Sequence, residues 1–295
     1  MKINCIYLIL LALVPFLNCG KGNNETNIKE KGKNKLTELP DSLSSLKSYS
    51  ISSESKTVIK LPNELKEISG LASTPEGRLF VHNDESAIIY ELNPTDGSII
   101  KKFAAGRPAL KDDFEDIEFA EGTFYLVNSK GDIIEFRESG NGEYSEYKKY
   151  NTLLSSSYDV EGLCYDIETN SLLLACKGFS GSQATNDKSV FSFSLKEKKL
   201  TKVPRFTIKS EQAGKRFAPS GIRRNPVTGT FYLISAAGNS IIEVSKNGEL
   251  IDRQELSPNN HEQPEGITFM PDNSMLIANE GKSSSGYIVR YPYAK

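Results

Sequence analysis

Short apolar runs alternate with polar turns along the chain from Val58 onward, and they come in a fixed order. Ile68-Ser69-Gly70-Leu71 is followed, after the turn signal Pro75-Glu76-Gly77, by Phe80-Val81-His82-Asn83. Two runs joined by such residues read as a β-hairpin. A third run, Ile88-Ile89-Tyr90, and a weaker fourth, Ser98-Ile99-Ile100, complete the unit. The runs lack the apolar period near 3.6 of a helix face, so the pattern predicts strands.

The whole group then repeats. Its opening phrase returns as Phe114-Glu115-Asp116-Ile117, Val160-Glu161-Gly162-Leu163, Pro219-Ser220-Gly221-Ile222 and Pro264-Glu265-Gly266-Ile267. The step is about 46 residues, stretched to about 59 once, and four short strands at such a period describe a propeller blade. Five units predict an all-β fold, a single β-propeller of five four-stranded blades. The fifth unit shows only three strands, whereas a lone run, Ser55-Lys56-Thr57-Val58-Ile59-Lys60-Leu61, precedes the first. Pairing that N-terminal strand onto the last blade closes the ring and removes an open sheet edge. The surplus of the third unit, Gly178 to Lys188, is polar and rich in Gly and Ser and reads as a loop. The ring is read as a monomer.

Ahead of the repeats the pattern changes. Met1-Lys2 followed by the apolar run Ile6 to Leu17 predicts a signal peptide over residues 1–18. The run is short for a bilayer span. Phe16-Leu17-Asn18-Cys19-Gly20 resembles a bacterial lipoprotein box with Cys19 as the lipidated residue. It departs from the usual box at Phe16 and Asn18, and plain secretion is the alternative. Residues 19–48 then read as the lipidated cysteine and a flexible tether, too polar to fold alone. Residues 49–295 form the propeller domain. The expected location is the bacterial cell envelope, with the membrane reached through the lipid anchor.

Composition adds little beyond exclusions. The chain is 25% charged with a formal charge of −2, and both signs are interspersed. A nucleic-acid partner would ask for a basic face. Lys196-Glu197-Lys198-Lys199 and Arg223-Arg224 are short and isolated, and read as solvated turns.

Candidate chemistry is sparse. His82 and His261 are the two histidines, which argues against a histidine-centred zinc site, and His261-Glu262 lacks the second histidine of a helix-borne metalloprotease motif. No Gly-x-Ser-x-Gly elbow occurs. Gly281-Lys282-Ser283 would end a phosphate loop, but Leu276 stands where its first glycine belongs. His82 reads as a hydrogen-bonded structural residue. Cys164 and Cys176 fall on the first two strands of unit three, where a hairpin centred near Asn170 brings them roughly opposite each other. In an exported protein that permits a disulfide; two small buried residues are the alternative.

The acids are placed more pointedly. Glu67, Asp113 and Asp159 precede the opening phrase in units one to three, and Glu115, Glu161 and Glu265 hold its second position. Asp116 takes the third position, which is glycine in the other four units. Glycine on a crowded inner strand permits close backbone approach, so an aspartate there breaks the chain's own rule. The seven carboxylates are expected at one mouth of the central channel. Calcium (Ca2+) is a natural partner for such a cluster. Glu115, Asp116, Glu161 and Glu265 are the expected metal ligands, with Asp84 and Asn83 as further oxygen donors. The alternative is that the acids cap backbone amides or pair with Lys and Arg.

Three motifs suggest a family. Glu67-Ile68-Ser69-Gly70-Leu71, Val81-His82-Asn83-Asp84 and Asp113-Phe114-Glu115-Asp116-Ile117 stand in the order seen in the SdiA-regulated (YjiK-like) proteins, and the resemblance extends from about Val58 to Tyr293. Those proteins are bacterial envelope propellers related to the NHL-repeat group. The resemblance implies that six blades are the alternative to five. It also implies that related families hold both calcium-dependent lactonases and partner-binding members. Two functions follow as expectations. One is a binding or scaffold module for an unidentified protein or small molecule. The other is a metal-dependent hydrolase of the lactonase or esterase type, in which a channel-mouth metal polarises a carbonyl. The residues themselves leave open whether the protein is an enzyme.

Overall fold

A computed structural model describes residues 44–51, 56–178, 186–281 and 285–294, all within one compact unit, Leu39–Lys295. The signal peptide, Cys19 and most of the expected tether lie outside the described residues, as does most of the loop of unit three. The alternating runs form strands. The chain opens with β1 (Thr57–Lys60), β2 (Ile68–Ser73), β3 (Leu79–Asn83), β4 (Ile88–Leu92) and β5 (Ile99–Ala105). It continues with β6 (Phe114–Ala120), β7 (Thr123–Asn128), β8 (Ile133–Phe136), β9 (Tyr144–Ser145) and β10 (Tyr147–Tyr150). Next come β11 (Val160–Asp166), β12 (Ser171–Cys176), β13 (Lys188–Ser194), β14 (Lys199–Leu200) and β15 (Phe206–Ile208). After a single helical turn at Ser210–Ala213 follow β16 (Gly221–Arg224), β17 (Phe231–Ser235), β18 (Ser240–Val244) and β19 (Leu250–Glu255). The last are β20 (Pro264–Phe269), β21 (Met275–Asn279) and β22 (Tyr287–Tyr291).

These strands make five blades, so the repeat count holds and the six-blade alternative does not. Blade one is β2-β3-β4-β5, with β9 added in parallel at its outer edge. Blade two is β6-β7-β8-β10 and blade four is β16-β17-β18-β19. In blade three β13 carries a split outer strand, β14 and β15. Blade five is β20-β21-β22 completed by β1, with Val58 opposite Val289 and Ile59 opposite Ile288. The ring is therefore closed by the N-terminal strand.

Each blade buries both faces against its neighbours, which is why the inner three strands read as nearly continuous apolar runs. Five apolar clusters result, one between each adjacent pair of blades. With no tryptophan in the chain, phenylalanine and tyrosine supply the bulk. Phe80 of blade one meets Phe124 of blade two edge-on, with centroids 4.8 Å apart, the quadrupole-favoured arrangement for such a pair.

Two sequence expectations change here. The tether was expected to reach Ser48, but Leu46–Tyr49 form a 3-10 turn whose Leu46 and Tyr49 are wholly buried in the cluster between blades four and five. The buried Glu243 carboxylate holds this turn, accepting from the Ser45 and Leu46 amides at 2.9 and 3.1 Å and from Ser45 Oγ at 3.0 Å. The Ala294 amide also donates to Ser48 O at 2.8 Å, tying the two ends together. The second change concerns the cysteines, which are free thiols. Cys164 pairs with Leu173 and Cys176 with Val160. The partner of Cys164 thus lies three positions from Cys176, an odd number, so the two side chains take opposite faces of the sheet. Cys164 packs towards blade four and Cys176 towards blade two.

Candidate functional site: an acidic channel mouth

In blades one, two, three and five the repeated opening phrase carries a β-bulge. In blade two Phe114 pairs with Asn128 and Asp116 with Val127, leaving Glu115 as the extra residue. Glu161 and Glu265 are skipped in the same way in blades three and five. In blade one the register jumps from Ile68 to Leu71. A bulge bends the strand and re-aims a side chain, which explains why the second position, rather than the third, faces the channel mouth.

Glu115, Glu161 and Glu265 meet there as expected, with Glu67, Asp113 and Asp84 beside them, around a cavity of about 160 Å³. Asp159 does not line it, although its charge acts on Glu161. Sequence reasoning missed Lys177, Gln263 and Glu280 at the same mouth. The signal was available: Asp84, Lys177 and Glu280 each directly follow the second phrase of their unit, across the bulge from the acids. Lys177 Nζ pairs with Glu161 Oε1 at 2.7 Å, and Gln263 donates to Glu280.

The mouth carries more negative charge than it balances. Burial, and then the Glu161 charge, hold the Glu115 carboxyl above the usual carboxylate range. Burial also raises Glu161, against the pull of Lys177. Glu265 is pushed up to about 7 by burial and by Glu161. Asp84 is raised by burial and by Glu67. Asp84 Oδ1 and Asn83 Oδ1 are buried without a hydrogen-bond partner. Among the described residues, no three His, Cys, Asp or Glu side chains converge closely enough to hold a metal ion. The mouth is an acidic basin rather than a finished coordination cage.

Asp116 is not at the mouth, which corrects its expected place among the metal ligands. The bulge turns it sideways, and it is fully buried. Its Oδ1 accepts from the Ile117 amide and its Oδ2 from the Leu163 amide of blade three, both at 2.8 Å. The glycine rule explains this position. A β-carbon on Gly70 would stand 2.7 Å from Ile117 N, and one on Gly162 3.0 Å from Ile222 N, so the third position faces the next blade's backbone amide. Where the siblings use a bare glycine to let strands touch, Asp116 spans the same junction with a carboxylate.

Arg223, read as a solvated turn residue, instead crosses the channel axis. From blade four its guanidinium donates to Ile267 O of blade five at 2.9 Å, Leu71 O of blade one at 2.5 Å and Ile117 O of blade two at 3.1 Å. It pairs with Glu118 and lies 3.8 Å from Asp116 Oδ1. Burial still pushes Asp116 up to about 8, against the opposing Arg223 charge. Beyond this plug a cleft of about 340 Å³ has a mixed wall, with Phe119, Ile167, Phe269 and Met270 beside Glu118, Arg223 and Arg224.

Both histidines are buried, and burial pushes each down to about 4. His261 stands 3.0 Å from Asn279 Oδ1 and 2.7 Å from Tyr291 Oη inside blade five. His82 Nδ1 lies 2.9 Å from Asn83 O. Both are placed as structural groups.

Comparison with known proteins meets the resemblance carried by the opening motifs. Residues 193–292 match the family model described as SdiA-regulated. That match runs from the outer strands of blade three through the last two blades and is independent of the motifs in the first two. No curated protein sequence matches the chain. Among solved structures the chain is similar to a luciferin-regenerating enzyme, at 11% identity and a TM-score of 0.51, covering 81% of this chain and 98% of that one. It is also similar to the PQQ-bound aldose sugar dehydrogenase of Streptomyces coelicolor, at 11% identity and a TM-score of 0.49, covering 81% and 99%. Virginiamycin B lyase of Staphylococcus aureus follows at 12% identity and a TM-score of 0.44, covering 81% and 88%. At such identities the likeness to the luciferin-regenerating enzyme shows the β-propeller fold and nothing of its chemistry.

Proposed function

We propose that the protein is a lipid-anchored binding module of the bacterial cell envelope, whose acidic mouth takes a hard cation or a ligand carrying one. The carrying observation is the gathering of Glu115, Glu161 and Glu265 on three bulges around one cavity. Their raised protonation marks negative charge that a cation would offset. Carboxylate and amide oxygens are the donors calcium accepts, so calcium fits the donor chemistry, although the side chains must draw together to make a shell. Glu115, Glu161 and Glu265 would hold the ion, with Asp84 and Asn83 adding oxygens. Asp116 is excluded, because both its oxygens serve backbone amides.

Calcium should raise the melting temperature of the metal-stripped protein in a concentration-dependent way, and by more at pH 8 than at pH 6.5. The sign follows from the carboxyls. A carboxyl raised in the folded state binds more protons folded than unfolded, so stability falls as pH climbs from its ordinary value towards the raised one. For Glu265 that interval runs from 4.5 to about 7. Glu115 and Glu161 shift in the same direction. The two histidines act oppositely, but only below their ordinary value of 6.5. Above it the mouth acids are increasingly charged and most in need of a cation. Thermal melts with calcium and with chelator, beside calorimetric titration, would check this. Equal melting temperatures up to millimolar calcium at both pH values would remove the cation reading.

The anchor rests on the apolar run Ile6 to Leu17 and on Cys19. Cys19→Ala should shift the protein from the detergent phase to the aqueous phase, or leave it unprocessed. Unchanged detergent partitioning and processing in that variant would count against lipidation.

A further inference from the structure

The two adjoining arginines of blade four differ in how far they are committed. Arg223 spends its guanidinium on three carbonyls and on Glu118. Arg224, the last residue of β16, makes one side-chain hydrogen bond among the described residues, from Nη2 to Glu168 Oε1 at 2.8 Å. Its Nε has no hydrogen-bond partner and lies 3.8 Å from Asp166 Oδ1. A guanidinium carries five N–H donors, so most of this one is unspent. The acids beside it do not depend on it. Glu168 also pairs with Lys246. Asp166 accepts from the Thr169 hydroxyl at 2.7 Å and from the Glu168 amide at 3.2 Å.

Arg224 stands in the wall of the cleft of about 340 Å³ beyond the plug. The inner strands start at the acidic mouth and end at this cleft. Ser73, Phe119, Tyr165, Arg224 and Phe269 hold the same place in the five units, two residues past the apolar residue that closes the opening phrase, and all five line the cleft. Three are aromatic and one is cationic. Phe119 and Tyr165 are half-buried, and Ile167 on the rim is 64% exposed. Glu118, the one acid of the lining, is already engaged. It accepts from the Phe119 and Tyr165 amides at 2.8 and 2.7 Å and pairs with Arg223. The charge left to offer a ligand is therefore that of Arg224. The floor is preformed, because Arg223 is fastened to three other blades. Small-molecule sites are concave and largely preformed, with apolar and aromatic walls and a few placed polar groups.

We propose that this cleft is a second binding site, for a small aromatic carboxylate. The ring lies against Phe119, Tyr165 and Ile167, and the carboxylate accepts charge-assisted hydrogen bonds from Arg224. A single unspent guanidinium matches the single charge of a carboxylate. Glu168 keeps Lys246 when Arg224 turns to the ligand, so no acid is stranded. The ring then has two mouths of opposite preference, with Arg223 between them: one for cations, one for an anion with a flat apolar body.

Titration calorimetry of the full-length protein with naphthoate, beside uncharged naphthamide of the same ring, is the test. Naphthoate should bind saturably, and naphthamide at least about tenfold more weakly. Arg224→Gln should weaken naphthoate by at least about tenfold and leave naphthamide unchanged. Glu265→Gln, at the acidic mouth, should alter neither. Ile167→Asp, an exposed rim change that spares the core, should weaken naphthoate by removing apolar contact and adding like charge. It decides the matter if Arg224→Gln fails to fold. No saturable naphthoate binding at millimolar concentration would overturn the proposal. So would equal affinity for the two probes, or undiminished naphthoate affinity in a folded Arg224→Gln or in Ile167→Asp.

Discussion

Arg223→Met should lower the melting temperature by roughly 10 °C or more, the largest effect expected of any single substitution in the channel. The guanidinium is buried, and it binds carbonyls from three blades besides pairing with Glu118. Methionine fills a similar volume but leaves the buried Glu118 carboxylate without its counter-charge. It also strands the carbonyls of Leu71, Ile117 and Ile267. Breaking one side of a buried ion pair costs about 3–5 kcal/mol, and each kcal/mol shifts the midpoint of a domain this size by roughly 2–4 °C. Glu118→Gln should cost less. A glutamine carbonyl can still accept at that place, and Arg223 keeps its three carbonyl partners. Thermal and denaturant melts of both variants would check the order. An Arg223→Met protein as stable as the wild type would show that the axial plug is not a structural joint.

A chain starting at residue 44 should melt cooperatively, whereas one starting at residue 62 should fail to fold. The second truncation removes β1 and the docked turn, and with them the buried side chains of Leu46, Tyr49, Ile51, Ile59 and Leu61. Full burial of such a side chain contributes about 1.5–3 kcal/mol, so the five together are worth roughly 8–15 kcal/mol before the entropy of ordering them is subtracted. That is comparable to the whole stability of an ordinary domain, about 5–15 kcal/mol. The loss also bares the outer edge of β22 and uncaps the Glu243 carboxylate. Circular dichroism and melting of the two truncations would separate them. A residue-62 chain with native melting would mean that the first and last blades hold together without the shared strand.

The blade count and the closure by Val58 and Ile59 were legible because both rest on short apolar runs that recur in a fixed order in every unit. The acids of the second position were legible for the same reason: the five copies could be laid over one another. What was not legible followed from parity. A bulge inserts one residue, so a count of alternating faces passed through it assigns the next residue to the wrong side. Asp116 was placed at the mouth because it breaks the glycine rule beside Glu115, and the bulge sends it to the junction with blade three. The cysteines failed similarly, since the hairpin register puts them on opposite faces. Arg223 could not be found from its neighbours. A charged residue in a short strand looks solvated until three other blades are seen to bring their carbonyls to it. The tether's end was misjudged because Leu46 and Tyr49 are two apolar residues in a polar stretch, and only the partner surface of Tyr232 and Phe269 makes them core.

Closure by a shared blade also imposes an order on biosynthesis. Among the described strands β1 is the first to emerge and its partner β22 the last, with four complete blades between them. At a synthesis rate of about 5–20 residues per second, the first strand waits roughly 10–50 s for its mate. For that interval blades one to four can assemble progressively, each on the apolar face of the one before, while Thr57–Lys60 trails unpaired. Its brevity and its flanking lysines, Lys56 and Lys60, make it a poor template for a stranger's edge. The ring therefore snaps shut as a late, single event, and a nascent chain stalled before Tyr287 would be an open arc with a sticky flank, the form most exposed to proteases and to pairing with its own copies.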